Sequence, residues 1–120
     1  MQRKPTKKTR GPNAQEKAYQ GWTKERLCCV CGNYGVVVHH CEGSTFKLKV
    51  MFETVLLGHW FCLPLCAHCD DVITNGSRRS FRERFGLQSK FWAKEMDQYA
   101  NETGIKPPEN VISGISLSKS

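Results

Sequence analysis

The 120-residue sequence has no apolar run long enough to cross a membrane. Its most apolar stretch, Val50 to Ala67, is broken by Glu53, Thr54, Gly58, His59 and Pro64, whereas a span needs about 18 or more apolar residues in succession. No secretory leader is legible either, because the first residues are basic and polar with no apolar run behind them. Heptads and internal repeats are missing too. These absences set aside a membrane protein, a secreted protein and a coiled coil. Apolar residues are also in short supply, at 39%. The chain is long enough for one domain and too short for two, so the core is small and calls for a covalent or metal staple. In a reduced cytoplasmic setting the seven cysteines read as metal ligands in preference to disulfides.

Charge is plentiful but unevenly placed. Lys and Arg number 18 against 11 Asp and Glu. The first 26 residues hold eight of those cations (Arg3, Lys4, Lys7, Lys8, Arg10, Lys17, Lys24 and Arg26) against Glu16 and Glu25, while residues 27–104 balance to zero. A basic arm punctuated by Pro and Gly beside a neutral domain reads as a nucleic-acid-contacting tail, with a merely solubilising tail as the plainer alternative. The expected organisation is a flexible basic arm over 1–26, a zinc-binding domain over 27–104 and a flexible Ser- and Gly-rich tail over 105–120.

Local patterns place the elements. Ala14 to Glu25 fits a short helix or an extended arm. Val36-Val37-Val38 is β-branched and predicts a strand running into His39-His40. Cys41 to Lys49 reads as a loop, and Lys49 to Leu57 as strand or loop. Trp60 to Leu65 predicts a second strand ended at Pro64. Cys66 to Thr74 starts a helix that Asn75-Gly76 breaks. Ser77 is an N-cap for a helix carrying Phe81 and Phe85 on one face and closed by Gly86. Ser89 is expected to cap a further helix to about Asn101, with Phe91, Trp92, Met96 and Tyr99 at core spacing.

Two Cys-x-x-Cys pairs, Cys28/Cys31 and Cys66/Cys69, carry the strongest chemical signal. A two-residue gap lets both sulfurs of a tight turn reach one ion, and two such pairs supply the four soft ligands that tetrahedral Zn²⁺ prefers. Cys29 is an alternative first ligand with poorer spacing to Cys31. Cys41 and Cys62 lack a pair partner and read as small core residues. The 34 residues between Cys31 and Cys66 exceed a common zinc-ribbon gap and imply a functional insert.

That insert begins with His39-His40. Neighbouring side chains of a strand face opposite ways, so one histidine can bind a metal while the next faces a substrate. Asp70 directly follows the last paired cysteine, where the helix begins and points back over the strands. His39 and Asp70 together offer an imidazole and a carboxylate to a hard divalent ion, leaving His40 to deprotonate a water for attack on a phosphodiester. Surface, core or additional zinc-ligand roles for these histidines stay open from the residues alone.

The order Cys-x-x-Cys-Gly, a strand ending in His-His, then Leu-Pro-Leu-Cys-x-x-Cys leading into a helix resembles the HNH (ββα-metal) endonucleases with zinc knuckles. Small phage-encoded nucleases of the Ref recombination-promoting type are similar. The resemblance covers Leu27 to Ile73. It implies a small α+β fold with a zinc-stapled ββα-metal core and additional C-terminal helices. It also implies a structural zinc, a catalytic Mg²⁺ or Mn²⁺ on His39 and Asp70, and His40 as general base. The family's last metal-binding histidine falls on Asp70, a departure that predicts preference for a harder metal. The family's middle Asn has no counterpart in Gly58-His59-Trp60-Phe61-Cys62, where His59 is the polar residue able to orient the base or hold phosphate. Arg78, Arg79 and Arg82, with Lys7, Lys8 and Arg10 of the arm, would bind flanking phosphates, and His68 would face solvent. The resulting expectation is an HNH-type DNA endonuclease, phage-encoded, working in the bacterial cytoplasm on DNA with or without a recombinase filament as partner. A non-catalytic zinc-ribbon DNA-binding or recombination-accessory protein is the alternative.

Overall fold

The computed structural model describes residues 12–41, 47–50, 53–56 and 58–118, with side chains described outside 47–57. The elements run α1 (Ala14–Lys24), β1 (Val36–His40), β2 (Lys47–Val50), β3 (Glu53–Leu56), β4 (Cys62–Cys66), α2 (Ala67–Thr74), α3 (Arg78–Phe85), α4 (Gln88–Thr103) and α5 (Glu109–Ser116). Among the described residues this is a small α+β fold with five helices and two separate two-stranded sheets, β1–β4 and β2–β3, both antiparallel. Among the described residues no helix is long and apolar enough to cross a membrane. Lys7, Lys8 and Arg10 lie outside the described residues.

The β1–β4 ribbon organises everything else. Val36 stands opposite Cys66, His39 opposite Leu63 and His40 opposite Cys62. Every residue of β4 is buried. α1 packs against both strands, α2 does the same, and α4 lies on β4. The expected strand end at Pro64 is corrected, because β4 runs through it to Cys66. Proline removes a donor, yet the cost here is nil. The Pro64 carbonyl accepts from Cys29 N–H at 3.0 Å, so that side of the strand, including the proline nitrogen, faces away from β1.

Aromatic and aliphatic side chains close the core around β4. Tyr19, Phe61, Leu63, Leu65, Phe81, Trp92 and Tyr99 are all buried, each contributing about 1.5–3 kcal/mol by leaving water. The Trp92 indole N–H donates to the Trp60 carbonyl at 2.7 Å, which fixes α4 against the start of β4. The Phe81 and Phe85 rings meet edge to face at 5.0 Å, as their i, i+4 spacing predicts. Trp92, Met96 and Tyr99 are buried and Phe91 is half-buried, in line with core spacing.

Three local expectations need correction, and the open reading of Ala14 to Glu25 resolves as a helix. Residues 14–24 of the arm form α1, held by a reciprocal cap in which Asn13 Oδ1 accepts from Glu16 N–H and Glu16 Oε1 accepts from Asn13 N–H. β2 begins at Lys47, inside the stretch read as a loop. The N-cap of α4 is Leu87 rather than Ser89. Ser89 sits within the first turn, where its hydroxyl donates to the Ser118 carbonyl. The tail folds as α5, because Val111 and Ile115, four residues apart, bury together against α4 and beside the β2–β3 pair. Its Ser and Gly content masked that two-residue stripe.

Candidate metal and histidine centre

The first cysteine pair occupies a turn just before β1. Gly32 N–H bonds to Cys28 C=O at 2.9 Å and Cys28 N–H to Asn33 C=O at 2.7 Å. Gly32 takes a φ of +83°, a conformation that a side chain would strain. The second pair straddles the β4–α2 junction, with Cys66 as N-cap and Cys69 in the first helical turn. The strand register carries Cys66 to the Val36 end of the ribbon, beside the turn. The sulfurs of Cys28, Cys31, Cys66 and Cys69 consequently lie within 4.8 Å of one another, with Cys31 and Cys66 at 3.5 Å. Ligands of a tetrahedral Zn²⁺ with bonds of about 2.3 Å stand about 3.8 Å apart, so the cluster has the size and chemistry to hold a metal such as zinc.

The thiols of the cluster are electrostatically unequal. Burial pushes the Cys28 thiol up, but the N–H groups of Cys31, Cys66 and Val30 outweigh it and bring the group down to about 7. Burial, and then the surrounding sulfurs, push Cys69 up. A crowded set of thiolates without a cation is self-repelling, and a divalent ion removes that repulsion. Cys29, the alternative ligand, stays outside the cluster, and burial followed by Glu95 raises its thiol. Cys41 and Cys62 are core residues, and burial lifts the Cys62 thiol to about 12.

At the other end of the ribbon His39 and His40 project to opposite sides. His39 faces the helices after β4. Its Nδ1 lies 3.0 Å from Asp70 Oδ1 and its Nε2 lies 3.0 Å from Gln88 Oε1. Gln88 is fully buried, and its Nε2 has no hydrogen-bond partner among the described residues. The tautomer of His39 decides which of the two contacts it donates to. Asp70 is further fixed by the Thr74 hydroxyl, which donates to Oδ2 at 3.2 Å.

His40 faces α1. Its Nε2 is 3.5 Å from Gln20 Nε2, and its ring stands 6.0 Å from that of His59 at 87°. Burial, and then the charges of His59 and His39, lower its pKa below the ordinary histidine value. The neutral imidazole is therefore the favoured form near neutral pH. His59 is placed by α1. Its N–H donates to Glu16 Oε2 at 3.0 Å and its carbonyl accepts from Gln20 Nε2 at 3.3 Å. Gly58, at φ +64°, is required just before it, since a Cβ there would run into the Glu16 carboxylate. His68 is exposed between the paired cysteines.

Arg78, Arg79 and Arg82 are exposed on α3, which packs on α2. Arg79 pairs with Glu83 at 3.2 Å, an exposed i, i+4 contact that water largely screens.

A protein-family profile described as Protein of unknown function (DUF968) matches residues 3–104. The chain belongs to the DUF968 family. The DUF968 match takes in α1, both cysteine pairs, His39, His40, Asp70 and Gln88, and leaves α5 outside. No curated protein and no solved structure matches the chain. Three residues of the centre of this DUF968 chain escaped sequence reasoning: Glu16, Gln20 and Gln88. A glutamate followed four residues later by a glutamine on a polar helix carries no chemical signature of its own. Asn13 followed by Glu16 is, however, a legible capping box.

Proposed function

We propose that this chain is a metal-dependent DNA endonuclease of the HNH (ββα-metal) type, stapled by a structural zinc on Cys28, Cys31, Cys66 and Cys69. The observation that supports it most is the partition at the end of β1. One histidine is held against a carboxylate on α2 and the next is turned to the opposite side with its neutral form favoured. Two cis ligands of an octahedral ion with bonds of about 2.1 Å stand about 3.0 Å apart, the separation of His39 Nδ1 and Asp70 Oδ1. Mg²⁺ or Mn²⁺ bound there would supply Lewis-acid stabilisation of a phosphate. His39 and Asp70 hold that position, Gln88 orients the His39 ring, and His59 stands beside the base. His40 accepts a proton from a water whose oxygen attacks phosphorus, while the bond from phosphorus to the 3′ oxygen breaks. Exposed Arg78, Arg79 and Arg82 are placed to bind flanking phosphates. The setting that goes with this reading is the bacterial cytoplasm, with DNA as substrate and a phage origin, and with a recombinase filament as a partner to be tested.

The test is nicking of supercoiled plasmid by zinc-loaded protein given Mg²⁺, Mn²⁺ or no further metal, with His40→Ala in parallel. The reading predicts metal-dependent nicking that drops about 10²- to 10⁴-fold in His40→Ala, with zinc content and circular dichroism unchanged. The absence of the family's Asn and the Asp at position 70 favour the second reading, a zinc-ribbon DNA-binding or recombination-accessory protein. DNA binding without cleavage of duplex, single-stranded or recombinase-coated DNA would establish it.

A further inference from the structure

α1 presents two unlike faces. Glu16, Tyr19 and Thr23 are buried against the ribbon. Lys17, Gln20, Gly21 and Lys24 follow the i, i+3, i+4, i+7 pattern of a single face, and together they line one wall of an open groove of about 610 Å³. The valines of β1 form the other wall, and His40 lies in the lining. Among the described residues neither lysine is paired with a carboxylate. Seven residues at about 1.5 Å each set Lys17 and Lys24 about 10 Å apart along the helix.

Gly21 is the second observation. A glycine inside a helix weakens it relative to alanine, and nothing in the fold asks for one here. Its φ is not positive, and a Cβ at that position would meet nothing within 4 Å. The bare backbone faces the groove between two cations. Glycine in such a place leaves room for something that approaches closely from outside.

We propose that this groove is the track for the sugar–phosphate backbone of a nucleic-acid strand. Lys17 and Lys24 contact phosphates, and Gly21 provides clearance for the strand on its way to His40. The inference deepens the nuclease reading by naming how the substrate reaches the base, and as a route to catalysis it rests on that reading. The groove itself is testable by binding alone.

The experiment measures binding of fluorescein-labelled single-stranded and duplex DNA by anisotropy across a salt series, without added divalent metal. It uses wild type, Lys17→Ala/Lys24→Ala, Gly21→Leu, and Lys90→Ala/Lys94→Ala. The last pair makes the same charge change beside a different groove, bounded by Phe85 and Phe91. Loss of two phosphate contacts lowers the slope of log affinity against log salt by about 1.8 for duplex and about 1.4 for single strand. The expected result is that fall in Lys17→Ala/Lys24→Ala with little change in the control pair. Gly21→Leu is expected to weaken binding at least about ten-fold while its thermal midpoint holds or rises, since leucine is the better helix former. The strand form whose slope falls by its own full expected amount is the one the groove takes. Equal slopes in the two lysine pairs, or full affinity in Gly21→Leu, overturns the groove even if plasmid is cut. Groove-dependent binding with no cleavage sustains the groove and removes the nuclease. Wild type that binds neither DNA form overturns the groove.

Discussion

At the Val36–Cys66 end of the β1–β4 ribbon, four sulfurs converge on one point. At the His40–Cys62 end, the polar groups are dealt to opposite sides, His39 toward Asp70 and Gln88, His40 toward Gln20 and His59. The same two strands carry both arrangements. Convergence suits an ion whose whole coordination shell is protein, which does nothing but hold the chain together. Partition suits a site in which two imidazoles have different partners and different protonation demands. The contrast teaches that register alone can separate a convergent cluster from a partitioned one within a single pair of strands.

The comparison can be broken most severely at the cysteine end. Cys69→Ser, or zinc removal by a strong chelator, is expected to unfold the domain, because the binding energy of such an ion is about 10 kcal/mol or more and folds the chain around it. Circular dichroism with metal analysis reads this directly, and a chelated protein that keeps its near-UV signal would show the ends to be less different than argued. Next in size is loss of the α1 clamp. Glu16→Ala removes a buried carboxylate that accepts two backbone N–H bonds, and charge-assisted bonds are worth about 1.5–3 kcal/mol each. A destabilisation of about 3–6 kcal/mol by urea titration is expected, with the cysteine cluster intact.

Asp70→His sharpens the contrast without touching the fold. On the proposed nuclease reading it exchanges a hard ligand for an imidazole, so nicking should move from Mg²⁺ toward softer ions while the thermal midpoint shifts by less than a few degrees. Unchanged metal preference would remove Asp70 from the metal site. The smallest effect lies on the buried face of α1. Tyr19 is held neutral, with its pKa well above 10.0, by burial first and then by neighbouring Cys62. Its hydroxyl donates to the Cys62 carbonyl at 3.1 Å. Below the unfolded tyrosine value of about 10 both states keep the proton and stability is undiminished. Above it only the unfolded state releases the proton, so stability falls as pH rises. Tyr19→Phe should flatten that alkaline decline and cost about 1 kcal/mol at neutral pH, read by denaturant titration at both pH values.

Much of this was legible because it depends on local spacing. The two cysteine pairs, the valine run of β1, the Ser77 cap and the Phe81–Phe85 face all follow from residues within a turn or two of each other, and the structure keeps them. What escaped depends on long-range meetings. Glu16 meets His59 and Gln20 meets His40 across distances of 43 and 20 residues, and neither glutamate nor glutamine announces such a partner. Gln88 was invisible for the same reason, although it is the fully buried amide on which His39 leans. β2 and β3 were ambiguous because Lys49 to Leu57 lacks a clean two-residue alternation. α5 was missed because composition outweighed the spacing of Val111 and Ile115.

The chain leaves the ribbon at His40 and returns at Cys62, and the far ends of the two strands are gathered by the cysteine cluster. The excursion between them is a closed loop pinned at its base. Closure entropy grows only with the logarithm of length, so doubling such a loop costs about 0.6 kcal/mol. Length alone is therefore cheap to change, but exchange of the excursion is not, because His59 is bonded to Glu16, the Trp60 carbonyl to Trp92, and β2 and β3 pack beside α5. The architecture is a fixed frame whose excursion is moored at its return, so changes of length should be tolerated only where Gly58-His59-Trp60-Phe61 is kept.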